Sequence, residues 1–115
     1  MKPFPMRLRN HTQYLADIKR KIELNFKYPL SIAQLAREAG VSESKLQHEF
    51  PLAFALNIQE YQMQVRMDAA KSLLESCDHS QKYIASAIGY KSSRSFIRAF
   101  RQATGSTPEQ YRDNL

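Results

Sequence analysis

A pattern in the first half of this 115-residue chain returns near its end, and that repeat limits what the chain can fold into. The first copy runs Leu35-Ala36, four residues to Gly40, then Leu46, Phe50, Phe54 and Asn57-Ile58-Gln59-Glu60-Tyr61. The second runs Ile84-Ala85, four residues to Gly89, then Phe96, Phe100, Thr104 and Thr107-Pro108-Glu109-Gln110-Tyr111. The offset is 49 residues up to the glycine and 50 from Leu46 onward. The slip of one falls in a turn, where an insertion is tolerated. Each copy reads as helix, glycine turn, helix. Two such units in one basic chain point to a protein that grips two adjacent stretches of DNA.

A chain of this length makes one compact domain or two small ones sharing a helix. Its 43% apolar content suffices for a core and excludes global disorder. No apolar run approaches the roughly 20 residues of a membrane span, and the N-terminus lacks the apolar stretch of a secretory signal, so a cytoplasmic protein is expected. Cys77 is the only cysteine, which suits a reducing compartment and leaves no internal disulfide or cysteine-based zinc cluster. Its neighbours Asp78 and His79 invite a nucleophile reading, but such a triplet at a helix end reads better as an incidental turn. His11, His48 and His79 are scattered without ligand spacing, so no metal is expected. Three isolated glycines build no phosphate loop, and no paired acid and base stand out. The sequence predicts neither an enzyme nor a cofactor.

The net charge of +6 is unevenly spread. Residues 1–29 carry +5, residues 30–60 carry −2, residues 61–77 balance, and residues 78–115 carry +3. A basic surplus alone serves solubility; it favours nucleic acid when it lies on the face the fold offers to phosphate.

Periodicity predicts an all-α fold of about seven helices. Residues 1–11, with Pro3 and Pro5 among Lys2, Arg7 and Arg9, read as an irregular basic arm. A helix is expected from about Thr12 to Phe26, burying Leu15, Ile18, Ile22 and Phe26, with Pro29 ending the segment. Ser31 with Gln34 forms a capping box for a short helix expected to bury Ile32, Leu35, Ala36 and Ala39. Ser42 caps the next, where Leu46 and Phe50 point inward and Pro51 is expected to end or kink the helix within a turn. Asn57 with Glu60 opens the longest helix, roughly Ile58 to Ser76. Ser80, about Ser93 and Thr107 begin the last three. The expected organisation is a first helix-turn-helix subdomain over 12–57, a linker helix over 58–76 and a second subdomain over 77–115.

These residues resemble the DNA-binding domain of AraC/XylS-type bacterial transcription regulators over about residues 12–112. The likeness is densest at Ile84-Ala85, Gly89-Tyr90, Phe96, Arg98, Phe100, Gly105, Pro108 and Tyr111-Arg112, with Arg66, Ala70 and Leu73-Leu74 also fitting. It implies two helix-turn-helix subdomains joined by a linker helix, each placing its second helix in a major groove on one DNA face. A rod of 19 residues at about 1.5 Å each is about 28 Å long, near the 34–36 Å or so that separates successive grooves. Monomeric binding to a non-palindromic site of roughly two turns is therefore expected.

Helical phase selects the reading side chains. With Leu46 and Phe50 inward, Ser44, Lys45, Gln47 and His48 lie on the sides or outer face, and the resemblance puts Ser44, Gln47 and His48 toward the groove. With Phe96 and Phe100 inward, Ser93, Arg94, Ile97, Arg98 and Arg101 are outward or flanking. Arg94 or Arg98 can fork onto guanine or clamp a phosphate, and Ile97 either meets a thymine methyl or belongs to the core. Lys82 and Lys91 suit phosphates.

Two features depart from the family pattern. Pro51 and Leu52 stand where basic residues commonly follow Phe50, and Ala55 replaces the usual glycine. With Glu43 and Glu49, they make the first unit acidic, so the second unit and the basic N-terminal helix are expected to supply most of the salt-sensitive affinity. The expected partner is double-stranded DNA, with RNA polymerase as a further partner implied by the family and no membrane. The alternative is a helical protein-interaction module that reads little DNA. The chain is either a standalone regulator or the DNA-binding portion of a longer, ligand-sensing one.

Overall fold

The computed structural model describes residues 3–76 and 78–115, with side chains from Gln13 onward except at Cys77. The turn expected at Cys77 and the side chains of Lys2, Arg7, Arg9 and His11 lie outside the described residues. Among the described residues every regular element is helical: α1 (Pro3–Leu24), α2 (Ile32–Ala39), α3 (Glu43–Phe54), α4 (Ile58–Ser76), α5 (Gln81–Ala87), α6 (Ser93–Thr104) and α7 (Pro108–Asp113).

Helix α1 begins at Pro3, upstream of the expected Thr12, so residues 3–11 are helical instead of an irregular arm. Both prolines sit in the first turn, where an N–H has no intrahelical acceptor and its loss is cheap. Pro51 lies inside α3, and the helix ends within a turn of it, at Phe54, as the sequence led one to expect. Proline there cannot donate to the carbonyl of residue 47, but Gln47 is exposed and water can satisfy that oxygen. Beyond it Phe54 packs edge-on against Phe50 with centroids 4.8 Å apart, and the Lys19 ammonium lies 5.6 Å from its ring. These contacts retain the last turn.

The caps follow the sequence closely. Ser31, Ser42 and Ser80 each accept a backbone N–H three residues on at 3.0 Å, and Ser92 does the same for α6 at 3.1 Å. The box expected of Ser31 is half-formed, because the Gln34 amide turns to Glu38 at 3.2 Å. Asn57 and Glu60 close theirs in both directions, at 2.9 and 2.8 Å. Thr107 and Gln110 repeat it at the start of α7, at 3.0 and 3.1 Å.

The chain divides into two compact units: residues 1–25 with 29–62, and residues 26–28 with 63–115. In the first, α1, α2, α3 and the opening turn of α4 enclose Leu15, Ile18, Ile22, Leu35, Ala36, Leu46, Phe50 and Ile58, all buried. In the second, the rest of α4 with α5 and α6 encloses Met67, Ala70, Leu74, Ile84, Ala85, Ile88, Phe96 and Phe100, and α7 adds Pro108.

The internal repeat reaches further than the sequence pattern suggested. Leu15, Ile18 and Ile22 of α1 correspond to Met67, Ala70 and Leu74 of α4, each 52 residues on and each buried. The polar residues of the two helices follow the same offset, Lys19 and Glu23 against Lys71 and Glu75, while their tyrosine partners keep the 50-residue offset of the turns. Tyr61 donates its hydroxyl to Glu23, with Lys19 5.4 Å from its ring. Tyr111 donates to Glu75, with Lys71 5.8 Å from its ring. Helix α4 is thus the leading helix of the second unit, while its first turn does for the first unit what α7 does for the second.

The glycine turns repeat bond for bond. Val41 N–H reaches the Ala36 carbonyl at 3.1 Å, and Tyr90 N–H reaches that of Ala85 at 2.8 Å. Gly40 and Gly89 take φ of 73° and 100°, the left-handed region that glycine tolerates best. Their surroundings differ. A Cβ at Gly40 would meet nothing within 4 Å, whereas one at Gly89 would lie 2.2 Å from the carbonyl oxygen of Lys27. That strand of chain is also held by Arg66, whose Nε donates to the Phe26 carbonyl at 3.0 Å while its guanidinium stacks on Tyr90 at 4.9 Å.

Candidate nucleic-acid interface

The second helix of each helix-turn-helix unit buries two ring or branched side chains and turns its other face to solvent. In α6, Phe96 and Phe100 are fully buried. Arg94, Arg98 and Arg101 are exposed on the opposite side, and no ion pair holds any of them among the described residues. Ser93, Arg94, Ile97, Arg98, Arg101, Gln102 and Thr107 line one open groove of about 700 Å³. Ile97 is half-buried: it packs against the core and its remaining surface lines this groove. No acid stands in the first turn of α6. Its N-terminal N–H groups and three free guanidiniums therefore present uniformly positive potential, the arrangement that receives phosphate.

Helix α3 offers a different surface. Leu46 and Phe50 are buried and Ser44, Lys45, Gln47 and His48 are exposed. Gln47 lines a small hollow of about 220 Å³ with Ile32, Asn57, Ile58 and Gln59. Lys45 lies on the flank. Its ammonium is 2.9 Å from Glu49 and 5.9 Å from the ring of Tyr14, and the other Glu49 oxygen accepts the Tyr14 hydroxyl. Burial, then that hydrogen bond and the carboxylate's charge, push the Tyr14 hydroxyl pKa well above its ordinary range. Lys45 thus ties α3 to α1 through a charge already matched. Glu43 occupies the first turn, where α6 has no acid.

Lys82 on α5 and Lys91 in the turn before α6 are exposed. The sequence reading missed Gln102 and Thr107 as groove residues. Gln102 was within reach of it, being one helical turn beyond Arg98; Thr107 reaches the groove only through tertiary packing. Of the expected residues, the structure gathers Ser93, Arg94, Ile97, Arg98 and Arg101 around one groove, while Lys82 and Lys91 do not line it. No group of three or more His, Cys, Asp or Glu able to hold a metal occurs among the described residues. Among the described residues no helix is long and apolar enough to cross a membrane.

Comparison with known proteins accords with this geometry. Residues 35–114 match the family described as a helix-turn-helix domain. An uncharacterized HTH-type transcriptional regulator of Staphylococcus aureus is 36% identical over 91 residues, 79% of this chain but 12% of that protein. The chain therefore spans a small part of such a relative. A transcriptional regulator of Chromobacterium violaceum, described as an AraC-type DNA-binding domain-containing protein, superimposes with a TM-score of 0.80 at 26% identity, covering 90% of this chain and 92% of that one. The DNA-binding domain of AdpA, a global transcriptional factor solved with a target DNA, shares the fold with a TM-score of 0.78 at 24% identity, covering 87% and 90%. With the paired turns, the repeated caps and the match across both units, the chain belongs to the AraC-type helix-turn-helix DNA-binding domains.

Proposed function

We propose that this chain is the DNA-reading part of a transcription regulator, and that α3 and α6 enter successive major grooves of one non-palindromic site. The observation that carries this reading is the row Arg94, Arg98 and Arg101 on the outer face of α6, exposed and without ion-pair partners among the described residues. Three unpaired guanidiniums in one row have little structural purpose, whereas phosphates and guanine edges use that fork geometry. Arg94 and Arg98 take bases or phosphates, Arg101, Lys82 and Lys91 take phosphates, and Ser93 and Ile97 shape the fit. Ser44, Gln47 and His48 supply the reading of the first half-site. Most of the salt-sensitive affinity then belongs to the second unit. A contact with RNA polymerase on a free face would turn such binding into activation.

Selection from a random duplex pool, followed by footprinting, tests this. The expected result is an asymmetric protected site of roughly two helical turns, bound by one protein chain, with affinity falling steeply as salt rises. Failure to enrich any duplex at low salt would refute it.

A further inference from the structure

The two reading helices are in strict register. Ser42 and Ser92 cap them, Ala55 and Gly105 end them, and 50 residues separate every pair between. The groove row of α6, Arg94, Ile97, Arg98, Arg101 and Gln102, therefore corresponds to Ser44, Gln47, His48, Pro51 and Leu52 of α3. Spacings of three, one, three and one put each set on a single face opposite the buried ring. The α6 row carries three guanidiniums. The α3 row has no permanent charge, and the nearest cation, Lys45, is off the row and matched to Glu49.

The far end of the α3 row is the most unusual part. Leu52 is 75% exposed on a helix whose core needs are met by Leu46 and Phe50. Nothing ionisable occurs between Phe50 and Gln59. Where its counterparts Arg101 and Gln102 can donate hydrogen bonds, this end offers only methyl and methylene groups. Such a surface gains nothing against phosphate. Against the floor of a major groove it gains in one circumstance, when a base presents its own apolar group, the C5-methyl of thymine.

On this ground, and resting on the DNA-reading function proposed above, we infer that Leu52, with Pro51 beside it, is a specificity-determining residue that reads thymine methyl groups in the half-site met by the first unit. The first unit then selects sequence through apolar contact and the carboxamide of Gln47, with little dependence on salt.

The test uses the selected site with thymines of the first half-site replaced by deoxyuridine, which deletes the methyl and keeps base pairing. Wild type is expected to lose about three- to fivefold in affinity for each contacted methyl, the worth of one buried carbon. Leu52→Ala, an exposed change whose urea midpoint should match wild type, is expected to bind the thymine and deoxyuridine sites equally. The same replacement in the second half-site should affect wild type and Leu52→Ala alike. If first-half-site deoxyuridine lowers binding of both proteins equally, or of neither, Leu52 does not read the methyl. If Leu52→Ala retains full methyl discrimination yet fails to activate transcription with purified polymerase, the surface serves a protein partner and the inference falls. A chain that enriches no duplex at all overturns the parent reading, a distinguishable failure.

Discussion

Replacing Gly89 and Gly40 separately by alanine sets identical chemistry against two different environments. Both residues occupy the left-handed region, with φ of 100° and 73°. Alanine there costs about 1–2 kcal/mol in the folded chain, of which about 0.4–1 kcal/mol is recovered by stiffening the unfolded one. Gly40→Ala meets no atom within 4 Å, so its loss should stay near that difference, about 1 kcal/mol. Gly89→Ala places a methyl 2.2 Å from the Lys27 carbonyl oxygen, 3.0 Å from its carbon and 3.2 Å from an Arg66 nitrogen. To restore ordinary separation the 26–28 strand must retreat by roughly 1 Å, an overpacking penalty of about 1–3 kcal/mol. That retreat also strains the 3.0 Å bond from Arg66 to Phe26. The expected total is about 3 kcal/mol or more. Urea unfolding of both variants, compared through midpoints at unchanged slope, measures the difference. Equal losses within about 0.5 kcal/mol would refute the claim that the Lys27 backbone walls the Gly89 turn.

Ala55→Gly should stabilise by roughly 0.5 kcal/mol, because Ala55 holds φ of 67° at a helix end where Gly105 stands in the other unit; thermal or urea unfolding reads it, and Gly105→Ala should show the opposite sign. Arg98→Ala should weaken binding to the selected site by about 1–3 kcal/mol without changing the urea midpoint, measured by titration of labelled duplex. The Tyr61 hydroxyl, then Lys19, holds the Glu23 carboxyl below its ordinary 4.5, and Lys21, then Gln34, does the same for Glu38. Folded values below unfolded ones mean that this stabilisation is present above pH 4.5 and is lost as pH falls through the depressed values. Unfolding midpoints between pH 6 and 3 should therefore drop less in Glu23→Gln than in wild type.

Caps and buried positions were legible in the sequence because both are local. Ser42, Ser80 and Thr107 declare helix starts by hydrogen bonds spanning three residues, and Leu46, Phe50, Phe96 and Phe100 declare the inward face by spacing. What escaped is non-local. The kinship of α1 and α4 was hidden because its members differ in kind, Ile18 against Ala70, and because the loops after the two helices differ in length. Pro51 argued for a helix end within a turn, which Phe54 is, but the edge-on contact of Phe54 with Phe50 and the cover of Lys19 that hold this last turn depend on packing between helices. At the candidate interface, phase alone found the α6 arginines. It could not tell that Lys45 is occupied, since Tyr14 lies far away in the chain and completes the arrangement that holds Glu49.

The assignment of Phe26–Tyr28 to the second unit has a practical meaning for anyone dissecting the molecule. A fragment cut from Met63 onward would leave behind the backbone that flanks the glycine bend and the carbonyl that Arg66 grips. Halves that look separable on paper are interleaved along the polypeptide, so chimeras exchanging one reading module for another must carry that tripeptide with them.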